Sequence, residues 1–359
     1  SNDRIAMSFL ACGPTAFQYY RIPPQILGLY PAILPPEHDH RLVHYSKQPV
    51  FDDLLGKPVW RFVSTRGARF NGKLFHSRLL TQEPPPGSFR QTEHGFDVTS
   101  PEFTLLNLAT QVSPNQLLMA CYELCSSFAV FKPSKRAQQQ LDEAISLQLI
   151  PPNCGWERVC DVNGNDTNLW KRTPLLNAAD IAAFAKQAAG LRGVKQLRWA
   201  AEHMTGQTAS PFEVQTSMLV SLPRKEGGLG ISIANNVRIP LSEAARSLYD
   251  KTCCYADILI ECNTDNMGVI LECQGRSAHG NEAASLSDAE RTTALTSMGY
   301  DVIQITYDQI KDKKSFGNIA ELIHKKAGLP YTPKTKQEAD AEDTLRRELL
   351  VDWDKLFHR

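Results

Sequence analysis

The chain has 359 residues, 42% of them hydrophobic, which suits two or three ordinary globular domains and argues against disorder. Lys+Arg 39 balance Asp+Glu 39 for a formal charge of +0, so the basic excess common in non-specific nucleic-acid binders is missing and any nucleic-acid face must be local. No run approaches the ~18 apolar residues that span a bilayer, and residues 5–12, flanked only by Arg4, are too short for a signal peptide, so no membrane partner is expected. The nine cysteines are irregularly spaced without a Cys-x-x-Cys pair, which points to reduced thiols and a cytoplasmic location.

Residues 1–50 are rich in Pro and Tyr, and the pairs Pro23-Pro24 and Pro35-Pro36 exclude helix interiors, so short helices and extended links are expected. His38, His40 and His44 have metal-like spacing but no fourth ligand in sight, and a solvated loop is the simpler reading. Segments 58–64 and 73–78 alternate as strands do, joined by a basic turn over 66–72 in a hairpin. Arg61, Arg66, Arg69, Lys73, His76 and Arg78 follow one another there with no acid between them. Residues 94–100 read as a strand, then Ser100 as an N-cap and Pro101 as the first residue of a helix. A second helix is expected over 114–128, with Leu117, Leu118, Cys121, Leu124 and Cys125 at helical spacing. Residues 149–175, with Pro151-Pro152 and Asn163-Gly164-Asn165, read as a polar loop and boundary. Two Ala-rich helices follow, over 177–189 and 194–203. At the far end, 333–359 interleaves charges ahead of Leu349, Leu350 and Trp353, as in an appended helix that packs by its Leu/Trp end.

The segment 255–280 carries the chemistry. Asp257 leads the apolar Ile258-Leu259-Ile260, and Val269-Ile270-Leu271 leads into Glu272, which predicts a hairpin with an acid at the start of one strand and another at the end of the next. Side-chain alternation puts Glu272 and Gln274 on one face and Cys273 on the other. Carboxylates are seldom buried unless paired or metal-bound. A pair of this kind supplies the hard oxygen ligands that Mg²⁺ needs for phosphodiester hydrolysis. The plainer alternative makes Asp257 a turn cap and pairs Glu272 with Arg276 or Arg291.

Asp257, followed fifteen positions later by Glu272-Cys273-Gln274, resembles the PD-(D/E)xK nuclease signature with Gln in place of Lys. Gly275, Ser277 and His279, then Asp288 and Arg291, Gly299-Tyr300 and a strand ending at Thr306 continue the likeness to domains related to very-short-patch repair endonucleases. Glu213 resembles the acidic residue on that family's first helix, and the likeness covers 205–330. Further upstream, Val63-Ser64-Thr65-Arg66-Gly67, His76-Ser77-Arg78 and Val98-Thr99-Ser100-Pro101-Glu102 resemble the C-terminal region of AbiEi-type antitoxins, over 58–127. No N-terminal winged helix is evident, which speaks against a repressor.

These resemblances imply an α/β (α+β) protein: a restriction-endonuclease-like mixed sheet flanked by helices, with a second, smaller α+β domain at the N-terminus. The implied boundaries are 1–130 for the antitoxin-like domain, 131–204 for a helical connector, 205–330 for the nuclease-like domain and 331–359 for the appended helix. The implied activity is Mg²⁺- or Mn²⁺-dependent hydrolysis of DNA in a bacterial defence or toxin–antitoxin setting. Asp257 and Glu272 would be metal ligands, Glu213 would position water, Gln274 would bond a water and His279 would act as general acid or base. Arg66, Arg69, Lys73, Arg276 and Arg291 are the candidate nucleic-acid contacts. Gln274 can neither carry a proton away nor add positive charge, so the alternative is a module that keeps the nuclease fold and binds nucleic acid or protein without cutting.

Overall fold

The computed structural model describes residues 9–33, 45–151, 154–161, 163–263, 266–275 and 282–357, with 282–285 described by backbone alone. The histidines at 38, 40 and 44, together with Arg276 and His279, lie outside them. The fold is mixed α+β, with three sheets among the described residues. By its internal contacts the chain divides into two units, 1–158 with 168–202 and 353–359, and 159–167 with 203–352. Among the described residues no helix is long and apolar enough to cross a membrane.

The first unit is built on a five-stranded sheet ordered β3-β2-β1-β5-β4. β1 (Leu10–Ala11) is antiparallel to β2 (Val59–Val63) and parallel to β5 (Asp97–Thr99), while β4 (Phe89–Gln91) is antiparallel to β5. β3 (Phe75–Leu79) runs parallel to β2, pairing Val59 with Phe75 and Val63 with Leu79, so the expected hairpin is not formed. Alternation sets which face a side chain takes but not which way its strand runs. Parallel neighbours need a crossover, and 64–74 provides it through a 3₁₀ turn at Arg66–Ala68 and a tight return in which Ser77 N–H donates to the Phe70 carbonyl at 3.0 Å.

α1 (Gly13–Tyr19), α2 (Pro24–Leu27), α3 (Pro101–Leu108) and α4 (Pro114–Cys125) complete this part. Ser100 caps α3 by accepting the Phe103 N–H at 3.3 Å, and Ser113 closes a capping box with Gln116 on α4. Phe9, Phe51 and Phe96 form the aromatic centre, with ring centroids 4.9 and 5.3 Å apart. Arg21 is wholly buried, and both its Nε (2.8 Å) and Nη2 (2.5 Å) donate to Glu123, which also accepts from Trp353 Nε1 at 2.6 Å. A buried ion pair is tolerated when its lone pairs are filled in this way.

After α4 the chain turns into β6 (Phe128–Val130), so the predicted helix ends three residues early. α5 (Lys135–Ser146) leads to β7 (Glu157–Cys160) and β8 (Asp166–Lys171), and the three strands form a sheet ordered β6-β8-β7. The stretch read as a loop is thus a hairpin. Its tip is organised by Asp161, whose Oδ1 accepts the N–H groups of Asn163 and Asn165 at 2.8 Å each, with Gly164 at φ 79°. The Asn-Gly-Asn run is a hairpin turn, and 159–167 around it group with the second unit while both flanks group with the first. α6 (Ala178–Gln187) and α7 (Val194–His203) follow as expected.

The second unit holds a four-stranded sheet ordered β12-β11-β10-β9. β9 (Ala234–Pro240), β10 (Cys253–Ile260) and β11 (Gly268–Gln274) are antiparallel neighbours, and β12 (Tyr300–Thr306) lies parallel to β11. α8 (Pro211–Ser221) precedes the sheet; α9 (Glu243–Leu248) and α10 (Glu282–Ser297) are inserted between its strands. α11 (Tyr307–Lys311), α12 (Lys313–Ala327) and α13 (Lys336–Leu349) complete the unit. Ile239, Cys254, Ala256 and Ile270 meet Ala294 and Leu295 of α10 in one apolar layer, and α8 and α12 also pack on the sheet. α13 starts on a Thr335–Glu338 capping box and buries Leu345 and Leu349. Trp353 lies beyond the helix end, in a 3₁₀ turn that groups with the first unit.

Candidate active site

β9 and β10 both change phase at the same level. Cys254 and Ala256 face the α10 layer, and so does Leu259, although strict alternation would send it the other way. On β9, Val237 and Ile239 join that layer, whereas Asn235 turns to α8 and donates to Ser217 Oγ at 2.7 Å. The switch is made at Asn236, with φ 50°, opposite Asp257. Asn is among the few non-glycine residues that take this left-handed conformation readily. Asn235 Nδ2 also donates to the Asp257 carbonyl at 3.1 Å, which pins the irregular pair.

Asp257 therefore sits where β10 and β11 part. Their register runs through Ile258↔Leu271. The next amide, of Cys273, donates to Asp257 Oδ2 at 2.8 Å, so a carboxylate replaces a ladder carbonyl. Glu272, 5% exposed, accepts a two-pronged bond from Arg291 of α10: Nη1 to Oε2 and Nη2 to Oε1, both 2.8 Å. Arg291 also donates to the Tyr255 carbonyl. The structure thus brings Asp257 and Glu272 together, and it places Arg291, a candidate nucleic-acid contact, on Glu272.

Glu213 comes from the other side of the sheet. It is the third residue of α8; its Oε1 accepts from the Ser210 hydroxyl at 2.9 Å and its Oε2 from the Ala209 N–H at 2.7 Å. Cys273 points to this side, where its thiol meets Thr216. Gln274 closes β11 beside Thr306, half-buried, its amide without a hydrogen bond among the described residues.

Burial dominates the electrostatics. It pushes Glu272 up to about 8, helped by the charge of Asp257 and opposed by Arg291. It pushes Glu213 up to about 7, again helped by Asp257, while the bonds from Ala209 and Ser210 oppose it. Asp257 is itself raised by burial, with the Cys273 amide pulling it down. Burial and the nearby acids hold Cys273 far above the usual thiol range, so it is no nucleophile at neutral pH. Asp257 and Glu272 both lie in the field of Arg291 while Glu213 feels the charge of Asp257, and perturbation of this kind, by desolvation and a like charge, is typical of functional sites.

The donor chemistry suits a hard divalent cation in part. Asp257 Oδ1 has no hydrogen bond among the described residues, and carboxylate oxygens are the right type. Both Glu272 oxygens are taken, so an ion there requires Arg291 to let go. Among the described residues no three His, Cys, Asp or Glu side chains are placed to share one ion.

Arg66, Arg69 and Lys73 are exposed in the first unit, on the crossover between β2 and β3. Asn235 and Asn236 were not singled out from the sequence; the available signal was the Asn-Asn pair itself, a left-handed-prone dipeptide inside a strand. Comparison of the chain with protein-family models, with curated proteins and with solved structures finds no match.

Proposed function

We propose that the second unit is a PD-(D/E)xK-type nuclease domain, a metal-dependent hydrolase of DNA phosphodiester bonds. One observation carries the reading: Asp257 and Glu272 lie together, largely buried, where the two central strands of a helix-flanked mixed sheet separate. Asp257 is oriented by the Cys273 amide, which leaves its second oxygen without a hydrogen bond among the described residues and open to a cation. Glu272 is aligned by Arg291, which neutralises it while no ion is held. A divalent ion bound there would polarise a phosphoryl oxygen and lower the pKa of a water. Glu213, fixed by its two hydrogen bonds, adds negative field next to Asp257, and Gln274 is left to hydrogen-bond a water or phosphate oxygen. The antitoxin-like likeness of the N-terminal region supports a defence or toxin–antitoxin setting.

The test is cleavage of supercoiled and linear DNA by the full chain with Mg²⁺ or Mn²⁺. Cleavage is expected, and Asp257→Ala should lower it at least 100-fold. Failure of wild type to cut with either ion, or an Asp257→Ala protein that cuts as well, sinks the proposal.

A second reading has its own observation. The Arg291 fork on both Glu272 oxygens, with Gln274 in place of a cationic residue, favours a nuclease-like module that binds without cutting. Calorimetric titration with Mn²⁺ separates the two. Binding in wild type that Asp257→Ala removes supports the enzyme; binding that appears only in Arg291→Ala supports the non-cutting module.

A further inference from the structure

The first unit contains a cleft of about 730 Å³ between β2, β3 and the end of α3. Its wall includes Arg66, Arg69, Arg78 and Arg192, and no Asp or Glu. Several arginines elsewhere have carboxylates: Arg21 with Glu123, Arg224 with Glu338, Arg291 with Glu272 and Arg346 with Glu342. Among the described residues none of the four cleft arginines has an ion pair. Arg78 is held from behind by neutral acceptors, Nη1 to the Asn107 carbonyl at 3.1 Å and Nη2 to Thr110 Oγ1 at 2.8 Å. Burial lowers the Arg78 pKa and Arg192 adds to that, so two guanidiniums adjoin with no ion pair among the described residues. Such a cluster is what an anion stabilises.

Aromatic surface lies alongside. Trp60 and His76, on adjacent parallel strands, stack in the cleft wall with centroids 4.6 Å apart and planes 19° apart. Phe70, next to Arg69 in the chain, is 52% exposed. The helix end facing the cleft is the C-terminus of α3, whose partial negative charge suits the Arg78 side chain but not a buried polyphosphate. The guanidiniums are spread over the crossover, β3 and the loop after α6, as along a backbone, and not gathered around one phosphate group. We infer that this cleft binds single-stranded nucleic acid, with arginines on successive phosphates and aromatic faces, Phe70 foremost, under unpaired bases. The inference is independent of cleavage by the second unit.

The experiment is fluorescence anisotropy of a labelled single-stranded oligonucleotide with the full chain, in EDTA so that no metal-dependent step contributes. Wild type should bind with an affinity that falls steeply with salt. Arg66→Ala/Arg69→Ala should weaken binding at least tenfold and reduce the log–log salt slope by about 1.4, roughly 0.7 per lost phosphate contact. Phe70→Ala should weaken it roughly tenfold with the slope unchanged. All three side chains are exposed, so these variants should fold, and circular dichroism verifies it. The inference is overturned if the double variant binds like wild type, if a duplex of the same length binds as tightly as the single strand, or if ATP binds in the cleft and the oligonucleotide does not.

Discussion

The two units answer charge imbalance in opposite ways. In the second unit Glu213, Asp257 and Glu272 are largely buried, and each is tied down: by a helix cap, a strand amide and a guanidinium fork. In the first unit Arg66, Arg69 and Arg192 stand exposed with no ion pair among the described residues. Buried carboxylates can relieve their excess charge by taking up protons, and the rise of Glu272 and Glu213 to about 8 and 7 is that relief. Guanidiniums have no such route near neutral pH, so those without a carboxylate here, Arg66, Arg69 and Arg192, stay charged and keep to water. The acid site should therefore respond to pH and cations, and the arginine cleft to salt and polyanions.

The largest stability effect should come from Arg291→Ala, which leaves Glu272 buried without its counter-charge. A loss of about 3 kcal/mol is expected at pH 8.5 and a smaller one at pH 6, where a protonated Glu272 needs no partner. Urea unfolding at the two pH values measures it; an equal loss at both would mean the pair is not electrostatically strained. Next comes the pH profile of the unmodified chain. Glu213 and Glu272 have folded pKa values above the ordinary 4.5, so the folded state holds more protons than the unfolded one between about 4.5 and 8. Their contribution is complete below 4.5 and is lost as pH rises through about 7 and 8. Thermal melts from pH 5 to 8.5 should show this decline and a plateau beyond, Glu272→Gln should flatten its upper part, and Mn²⁺ should offset it. A profile that rises with pH would break the contrast between the units.

Smaller effects follow. Ser210→Ala removes both the α8 cap and a hydrogen bond to Glu213, for about 1 kcal/mol by chemical denaturation. Arg66→Ala/Arg69→Ala should change stability by no more than about 0.5 kcal/mol, since neither side chain has a partner among the described residues. A large loss in that variant would show that the cleft arginines are structural.

Part of this architecture is written in short-range signals. Ser100-Pro101 opening a helix, the Ala-rich helices after 177, and acids at the start and end of two apolar runs all rest on residues a few positions apart. The signals that misled were local as well. Alternation over 58–64 and 73–78 suits a hairpin and a parallel pair equally, and the polar run around Asn163-Gly164-Asn165 suits a long loop as well as a hairpin tip until β6 is seen beside β8.

The sequence by itself determined that helices begin at Pro101 and Pro114 and after Asn177, that the runs beside Asp257 and Glu272 are strands and that these two acids would be neighbours, because backbone capping and side-chain alternation act over a turn or a residue pair. Tertiary structure alone decided that β2 and β3 run parallel, that Asn236 and Asp257 change phase together, that Arg291 closes on Glu272, and that four arginines line one cleft. Those outcomes depend on which distant segments share a core, and on which charges burial leaves to find a partner.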